Sequence, residues 1–166
     1  MAETLHSLEV TATIRGKIAS ADGIQQVVLW TKTVTFGDGS GTNQLQQLWW
    51  DKLRNIDTTS EDFDLNGTLT PVVDGGTLDL TGLKLVLLDN LDDDTGDYAL
   101  LKQGSAAPMT TLLGGTSPTL KVGPGGFALV VSPVDAYTVT AGSADTLAVE
   151  TADDSDVQLL FAGIAS

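Results

Sequence analysis

Thr119 to Ile164 reads TLKVGPGGFALVVSPVDAYTVTAGSADTLAVETADDSDVQLLFAGI. Short runs rich in Val, Leu, Thr and aromatics alternate with breaks at Gly123-Pro124-Gly125-Gly126, Ser132-Pro133, Ala141-Gly142-Ser143 and Asp153-Asp154-Ser155. β-Branched and aromatic residues fit a pleated, half-buried surface, and Gly, Pro, Asp and Ser supply the turn conformations between such runs. The pattern therefore predicts four strands, read in order as an antiparallel meander. Nothing in it has the look of an active site.

Working outward, the rest of the chain keeps the same grammar. Leu8, Val10, Ala12 and Ile14 alternate with Glu9, Thr11, Thr13 and Arg15, which predicts one half-buried strand behind a loose start at Met1 to Ser7. Ala21-Asp22-Gly23 reads as a turn and Ile24 to Phe36 as a second strand. Gly37 to Asn43 (GDGSGTN) reads as a loop. It carries no Lys after its glycines and opens no helix, so it lacks the parts of a phosphate-binding loop.

Gln44 to Arg54 (QLQQLWWDKLR) has a helical look at Leu45, Leu48, Trp49 and Lys52, and its length admits either a strand or a helical turn. On a strand, successive side chains point to opposite faces. One of Trp49 and Trp50 is then expected in the core, and the other at a partner surface, where Trp is enriched; both packing under a loop is the alternative.

Ser60 to Thr70 predicts a strand with Phe63 and Leu65 inward, ending in an Asn66-Gly67 turn of hairpin type. Asn66-Gly67-Thr68 also matches a glycosylation sequon, but it reads better as that turn. Leu78 to Leu88 is the most apolar run. Its unalternated Leu85-Val86-Leu87-Leu88 fits a strand buried on both faces, and Gly82 suggests a bulge. Tyr98 to Gln103 and Pro108 to Leu113 read as further short strands, the latter closed by Gly114-Gly115.

The bulk composition bounds function mainly by exclusion. At 166 residues and 42% hydrophobic content, the chain can bury a real core and one domain is the default. No run of 18 or more apolar residues exists, so no membrane span is expected. MAETLHSLEV has no basic residue and no unbroken apolar stretch, so no signal peptide is expected either. With 22 acids against 8 bases the net charge is -14, which opposes nucleic-acid binding, a process driven by Lys and Arg neutralising phosphates. Such a charge suits a solvated surface or a basic partner.

Chemistry is equally sparse. There is no Cys, so no disulfide, thiolate metal site or Cys nucleophile exists. The one histidine, His6, sits in the loose start, where nothing holds an imidazole for a catalytic triad or a zinc site. Carboxylates abound, but aromatics are 5%, too few to line a typical sugar cleft. Asp89 to Asp97 (DNLDDDTGD) invites a calcium reading. Setting Gly96 sixth, however, puts Leu91 at the first ligand position of an EF-hand loop, so a solvated turn is the better reading. No catalytic residue, metal site or cofactor is expected, and the chain does not read as an enzyme.

Two stretches carry a more specific signal. FGDGSGTNQLQQLWWDKLRNIDTTSEDFDLNGTL (Phe36 to Leu69) joins a Gly/Asn loop, an aromatic-bearing segment and an acid-flanked DLNGTLT turn. KVGPGGFALVVSPVDAYTVTAGSADTLAVET (Lys121 to Thr151) adds a V-x-PGG turn, an SP break and a VTAG-x-ADTL-x-V hairpin pattern, followed by the Val157 to Gly163 strand. In these motifs the chain resembles a family of small structural proteins encoded in the virion gene blocks of tailed bacteriophages; Asp89 to Ser117 does not share the likeness.

The resemblance implies an all-β, antiparallel two-sheet β-sandwich, jelly-roll-like or Ig-like, of about ten short strands. It divides into a short N-terminal arm or first strand (1–20) and one sandwich domain (21–166). The implied function is that of a capsid decoration or cement protein. Such a protein sits on the outer surface of the virion, binds the major capsid protein of the assembled shell and stabilises the lattice by mass action. A homo-oligomer, a trimer, would multiply weak contacts. An extended terminus can add a strand to a neighbour's sheet. The expected contact surface is therefore the arm, Thr4, Leu5, Leu8 and Val10, together with Trp49 or Trp50. Alternatives are a head-fibre, tail or neck accessory protein, or a carbohydrate- or calcium-dependent adhesion module resting on Asp89 to Asp97.

Overall fold

A computed structural model describes residues 6–19, 25–57, 60–70, 76–115 and 117–166. Strand makes up 61% of the structure and helix 3%, so the all-β class holds. In chain order the strands are β1 (Ser7–Ala19), β2 (Gln25–Asp38), β3 (Gln44–Leu45), β4 (Gln47–Ile56), β5 (Glu61–Asp64), β6 (Leu80–Asn90) and β7 (Ala99–Gln103). After the single turn α1 (Thr110–Leu113) come β8 (Thr119–Val122), β9 (Phe127–Val131), β10 (Tyr137–Thr138), β11 (Thr146–Thr151) and β12 (Ser155–Ala165).

These strands form three sheets. β1, β2 and β3 make the first, with β3 parallel to the end of β2. The second has five strands, ordered β10-β6-β12-β4 with β9 also on β6; the third is β5-β11-β7-β8. One core lies between the second and third: Trp49, Val86, Leu88 and Phe161 from the five-stranded sheet meet Phe63, Leu101, Leu147 and Val149 from the four-stranded one. A second, smaller cluster, Phe36, Leu45, Leu48, Leu85 and Ala162, lies under the root of the β1–β2 hairpin. β6 serves both clusters, Val86 and Leu88 into one and Leu85 into the other, which is why its centre reads as an unbroken apolar run.

The C-terminal stretch holds five strands where four were expected, and they do not form a meander. β8 pairs with β7, β9 and β10 pair with β6, β11 lies between β5 and β7, and β12 lies between β4 and β6. No two of the five pair with one another; the chain crosses between the two large sheets from β8 to β9, from β10 to β11 and from β11 to β12, while β9 and β10 both stay on β6. Turn residues specify where a strand stops and say nothing of which strand it joins next.

One open alternative is resolved and two smaller expectations change. Gln44 to Arg54 is strand, because β4 pairs with β12 along its length and sets Trp49 opposite Phe161, packing that overrides a weak helical spacing. Pro108 to Leu113 contains the helical turn α1, closed by the Gly114 N–H on the Thr110 carbonyl, with Gly114 and Gly115 at φ 69° and 73°. Asn66-Gly67 makes a turn but closes no hairpin: β5 pairs with β11, while Asn66 Nδ2 donates to Asp79 Oδ1 (2.8 Å) and the Leu80 carbonyl (2.9 Å). The bulge expected at Gly82 is present as two register shifts between β6 and β12. There Gly163 packs so tightly on the Gly82 carbonyl that a Cβ has no room.

Candidate partner-binding surface

The β1–β2 hairpin is the longest ladder in the molecule, running in register from Ser7↔Gly37 to Ala19↔Gln25. Cross-strand partners share a face. One face therefore carries Leu8/Phe36, Val10/Val34, Ala12/Lys32 and Ile14/Trp30. The other carries threonine pairs whose hydroxyls meet across the strands, Thr11–Thr33 at 3.0 Å and Thr13–Thr31 at 3.3 Å. Only the root is anchored: Leu8, Val10 and Val34 pack against the Phe36–Leu45–Leu48–Leu85–Ala162 cluster. The loop after β2 is tied down by Lys84 Nζ on the Gly41 carbonyl (2.6 Å) and by the Asn43 N–H on the Pro133 carbonyl (2.8 Å). Burial pushes the Lys84 ammonium below the ordinary lysine pKa, a shift that nearby Asp135 partly opposes.

Beyond the root, both faces of the hairpin are open. Ile14, Val27, Val28, Leu29 and Trp30 are all exposed, Val27 at 70% and Leu29 at 63%. No strand but β2 pairs with β1 among the described residues. The apolar face then forms the wall of a cleft of about 390 Å³, with Val10, Ala12, Trp30 and Val34 on one side and Leu129 and Val131 of β9 on the other.

Of the residues predicted at a partner surface, Thr4 and Leu5 lie outside the described residues, as does the Ala21-Asp22-Gly23 turn. Leu8 and Val10 are half-buried against their own body rather than free. The tryptophan pair splits across the sheet. Trp49 is 8% exposed, with ring centroids 5.4 Å from Phe161 and 5.7 Å from Phe63. Trp50 points to the outer face at 38% exposure, with Lys52 Nζ 4.5 Å from its ring centroid. Its cross-strand partner is Leu160; Leu160 pairs on with Leu87, and Leu87 with Leu129. Trp50, Leu160, Leu87 and Leu129 thus form one half-open apolar row across four strands.

The exposed hairpin residues were not singled out from sequence. A signal existed: Val27-Val28-Leu29-Trp30 is unalternated, so a strand there has to present apolar side chains on both faces. A continuous run reads the same whether it is sandwiched between layers or bare.

The acidic stretch begins inside β6, where Asp89 and Asn90 are strand residues and Asn90 is buried, and only Asp94 to Gly96 make a turn. Asp97 has its carboxyl pushed above the ordinary value, first by desolvation and then by the charges of Asp153, Asp92 and Asp94. Asp92 is partly engaged, its Oδ2 accepting from the Asp156 N–H at 2.8 Å. Among the described residues no group of three or more His, Cys, Asp or Glu is placed to hold a metal ion. His6 is exposed ahead of β1. Half of the exposed large apolar side chains among the described residues, Ile14, Val27, Val28, Leu29 and Trp30, belong to the hairpin. No family model, curated protein or solved structure matches this chain.

Proposed function

We propose that this protein is a structural component of a tailed-phage particle. It binds the outer surface of the assembled capsid through the major capsid protein and stabilises the lattice, acting as a homo-oligomer, a trimer, and not as an enzyme. On this reading the five- and four-stranded sheets are the two layers of a sandwich and the β1–β2 hairpin is its arm. The phage context rests on the turn motifs of Phe36 to Leu69 and Lys121 to Thr151. The observation that supports a binding role is the hairpin. An acidic, solvated body carries one long projection whose distal half exposes apolar side chains on both faces, and exposed apolar surface of that kind marks contact sites. A ligand that binds only the assembled shell stabilises it by mass action, so weak contacts repeated over a lattice suffice.

The test is add-back. Purified protein is mixed with particles stripped of it, and pelleting and heat-induced genome release are measured. Saturable rebinding with release at higher temperature is expected. Binding confined to one vertex places the protein at the neck or tail, and no rebinding with no gain in heat resistance contradicts the proposal.

A further inference from the structure

We propose that the β1–β2 hairpin is a docking arm for a second copy of this chain. Its distal half lies on the outer face of the neighbour's five-stranded sheet, over the row Trp50–Leu160–Leu87–Leu129. This names the contact behind the homo-oligomer of the preceding reading, yet it stands on the hairpin and sheet alone and survives if the capsid reading fails.

The first ground is the hairpin's own physics. A two-stranded ribbon is marginal in water unless a face is covered. The root of this one is covered by its own body, and among the described residues the part from Thr13 to Ala19 and from Gln25 to Thr31 pairs with no strand outside the hairpin. At about 3.3 Å per residue that part spans roughly 20 Å. Its exposed side chains are Ile14 with Trp30 on one face and Val27 with Leu29 on the other.

Charge selects the occupant. Residues 10–37 carry Arg15, Lys17 and Lys32 against one acid, Asp22. Residues 38–166 carry 19 acids against 5 bases. The distal arm is net basic, the whole β1–β2 hairpin being neutral once Glu9 and Asp38 at its root are counted, so distal arm against distal arm sets like charges together, whereas distal arm against another copy's body sets opposite charges together.

The sheet face supplies a seat of the right kind. The row nearest the hairpin root, Leu48–Ala162–Leu85–Val131, is already covered by the chain's own Phe36 and Leu45. The next row, Trp50–Leu160–Leu87–Leu129, packs on that cluster only in part, through Leu160 and Leu129, so it stays half-open, and it spans four strands, about 15 Å at ~4.8 Å per strand. Beyond it lie Gln158, Asp89 and Phe127, paired in line, with Phe127 68% exposed. A second hairpin laid beside the first would cover this apolar row and bring Arg15 and Lys17 toward its acidic rim at Asp89. Arm and seat are different patches, so the contact is heterologous and closes into a ring if the rotation allows.

Sedimentation velocity and light scattering over a concentration series test this with three proteins. The arm variant carries Ile14→Ser and Leu29→Ser; the seat variant carries Trp50→Lys and Phe127→Lys. All four positions are exposed, so unchanged circular dichroism is expected of both. The wild type is expected to be oligomeric and each variant monomeric at the same concentration. A mixture of the two variants is expected to form a heterodimer and nothing larger, because it holds one intact arm–seat pair. Arg15→Glu with Lys17→Glu provides a surface-only check, weakening association by about tenfold or more at low salt, with recovery on adding Asp89→Lys. A monomeric wild type overturns the proposal, as does a seat variant that still assembles, a mixture that stays monomeric, or charge reversal without effect. Failure of add-back to capsids with these results intact would count against the capsid reading alone.

Discussion

Trp49 and Trp50 show how far a single residue pair can be read. That two adjacent tryptophans must face opposite ways on a strand was legible from alternation alone; which one turns inward depends on β4 lying beside β12, with Trp49 opposite Phe161. Trp49→Ala should cost about 3–5 kcal/mol by removing one ring from the Trp49–Phe63–Phe161 cluster. Trp50→Ala should cost no more than about 1 kcal/mol, since it removes exposed surface and one cation–π contact. Urea denaturation of the two variants checks the contrast, and equal losses would contradict the placement. Ser155 makes a subtler case. Its Oγ is buried with no hydrogen-bond partner among the described residues, so Ser155→Ala should be neutral or raise stability by up to about 1 kcal/mol in the same assay. Its sequence setting, Asp-Asp-Ser, reads only as a turn, because burial there is created by strands remote in the chain.

At the scale of the element, strand positions were largely legible and strand partners were not. Leu8 to Ile14, Leu78 to Leu88 and the runs after Thr119 announce themselves by alternation or by apolar continuity between turn residues. The pairing of β11 with β5 and β7, and of β12 with β4 and β6, follows from which faces bury which side chains, a global property with no local mark. Gly163 is an exception that can be recognised afterwards: a glycine inside a strand often signals close backbone approach. Gly163→Ala should lose about 2 kcal/mol, because the new methyl meets the Gly82 carbonyl, equivalent to a Tm drop of roughly 4–8 °C. Gly123→Ala, in the turn before β9, meets nothing within 4 Å and needs no left-handed φ, so it should change stability by less than about 0.5 kcal/mol. Thermal melts of both separate a packing glycine from a merely permissive one. The hairpin is the element whose meaning changed most. Leu8 and Val10, expected at a partner surface, pack against its own body, and the exposed apolar side chains lie farther along, at Ile14 and Val27 to Trp30.

For the whole molecule the dominant fact is charge, which sequence gives in sum and structure distributes. A net charge of -14 opposes compactness through self-repulsion, and Asp97 feels that repulsion, from Asp153, Asp92 and Asp94, on top of the desolvation that is the larger cause of its raised value. Its carboxyl is held above the ordinary value of 3.8 in the folded protein. The cost of ionising it is therefore present at neutral pH and relieved as pH falls through the raised folded value. Asp97→Asn should accordingly raise Tm at pH 7 in low salt, and the gain should shrink at about 0.5 M salt, where charges are screened within a few ångströms. Near pH 3, where the carboxyl is protonated folded or unfolded, the gain should vanish; a gain unchanged by both salt and acid would contradict the electrostatic cause.

The same charge map, an apolar arm with a basic distal part on an acidic body, underlies the view that this protein works by repeated surface contact. The most direct measurement of that view is its copy number in purified particles relative to the major capsid protein, by quantitative mass spectrometry. The account predicts a fixed ratio matching sites over the whole lattice; a ratio matching a single vertex or tail, or absence from the particle, would contradict it.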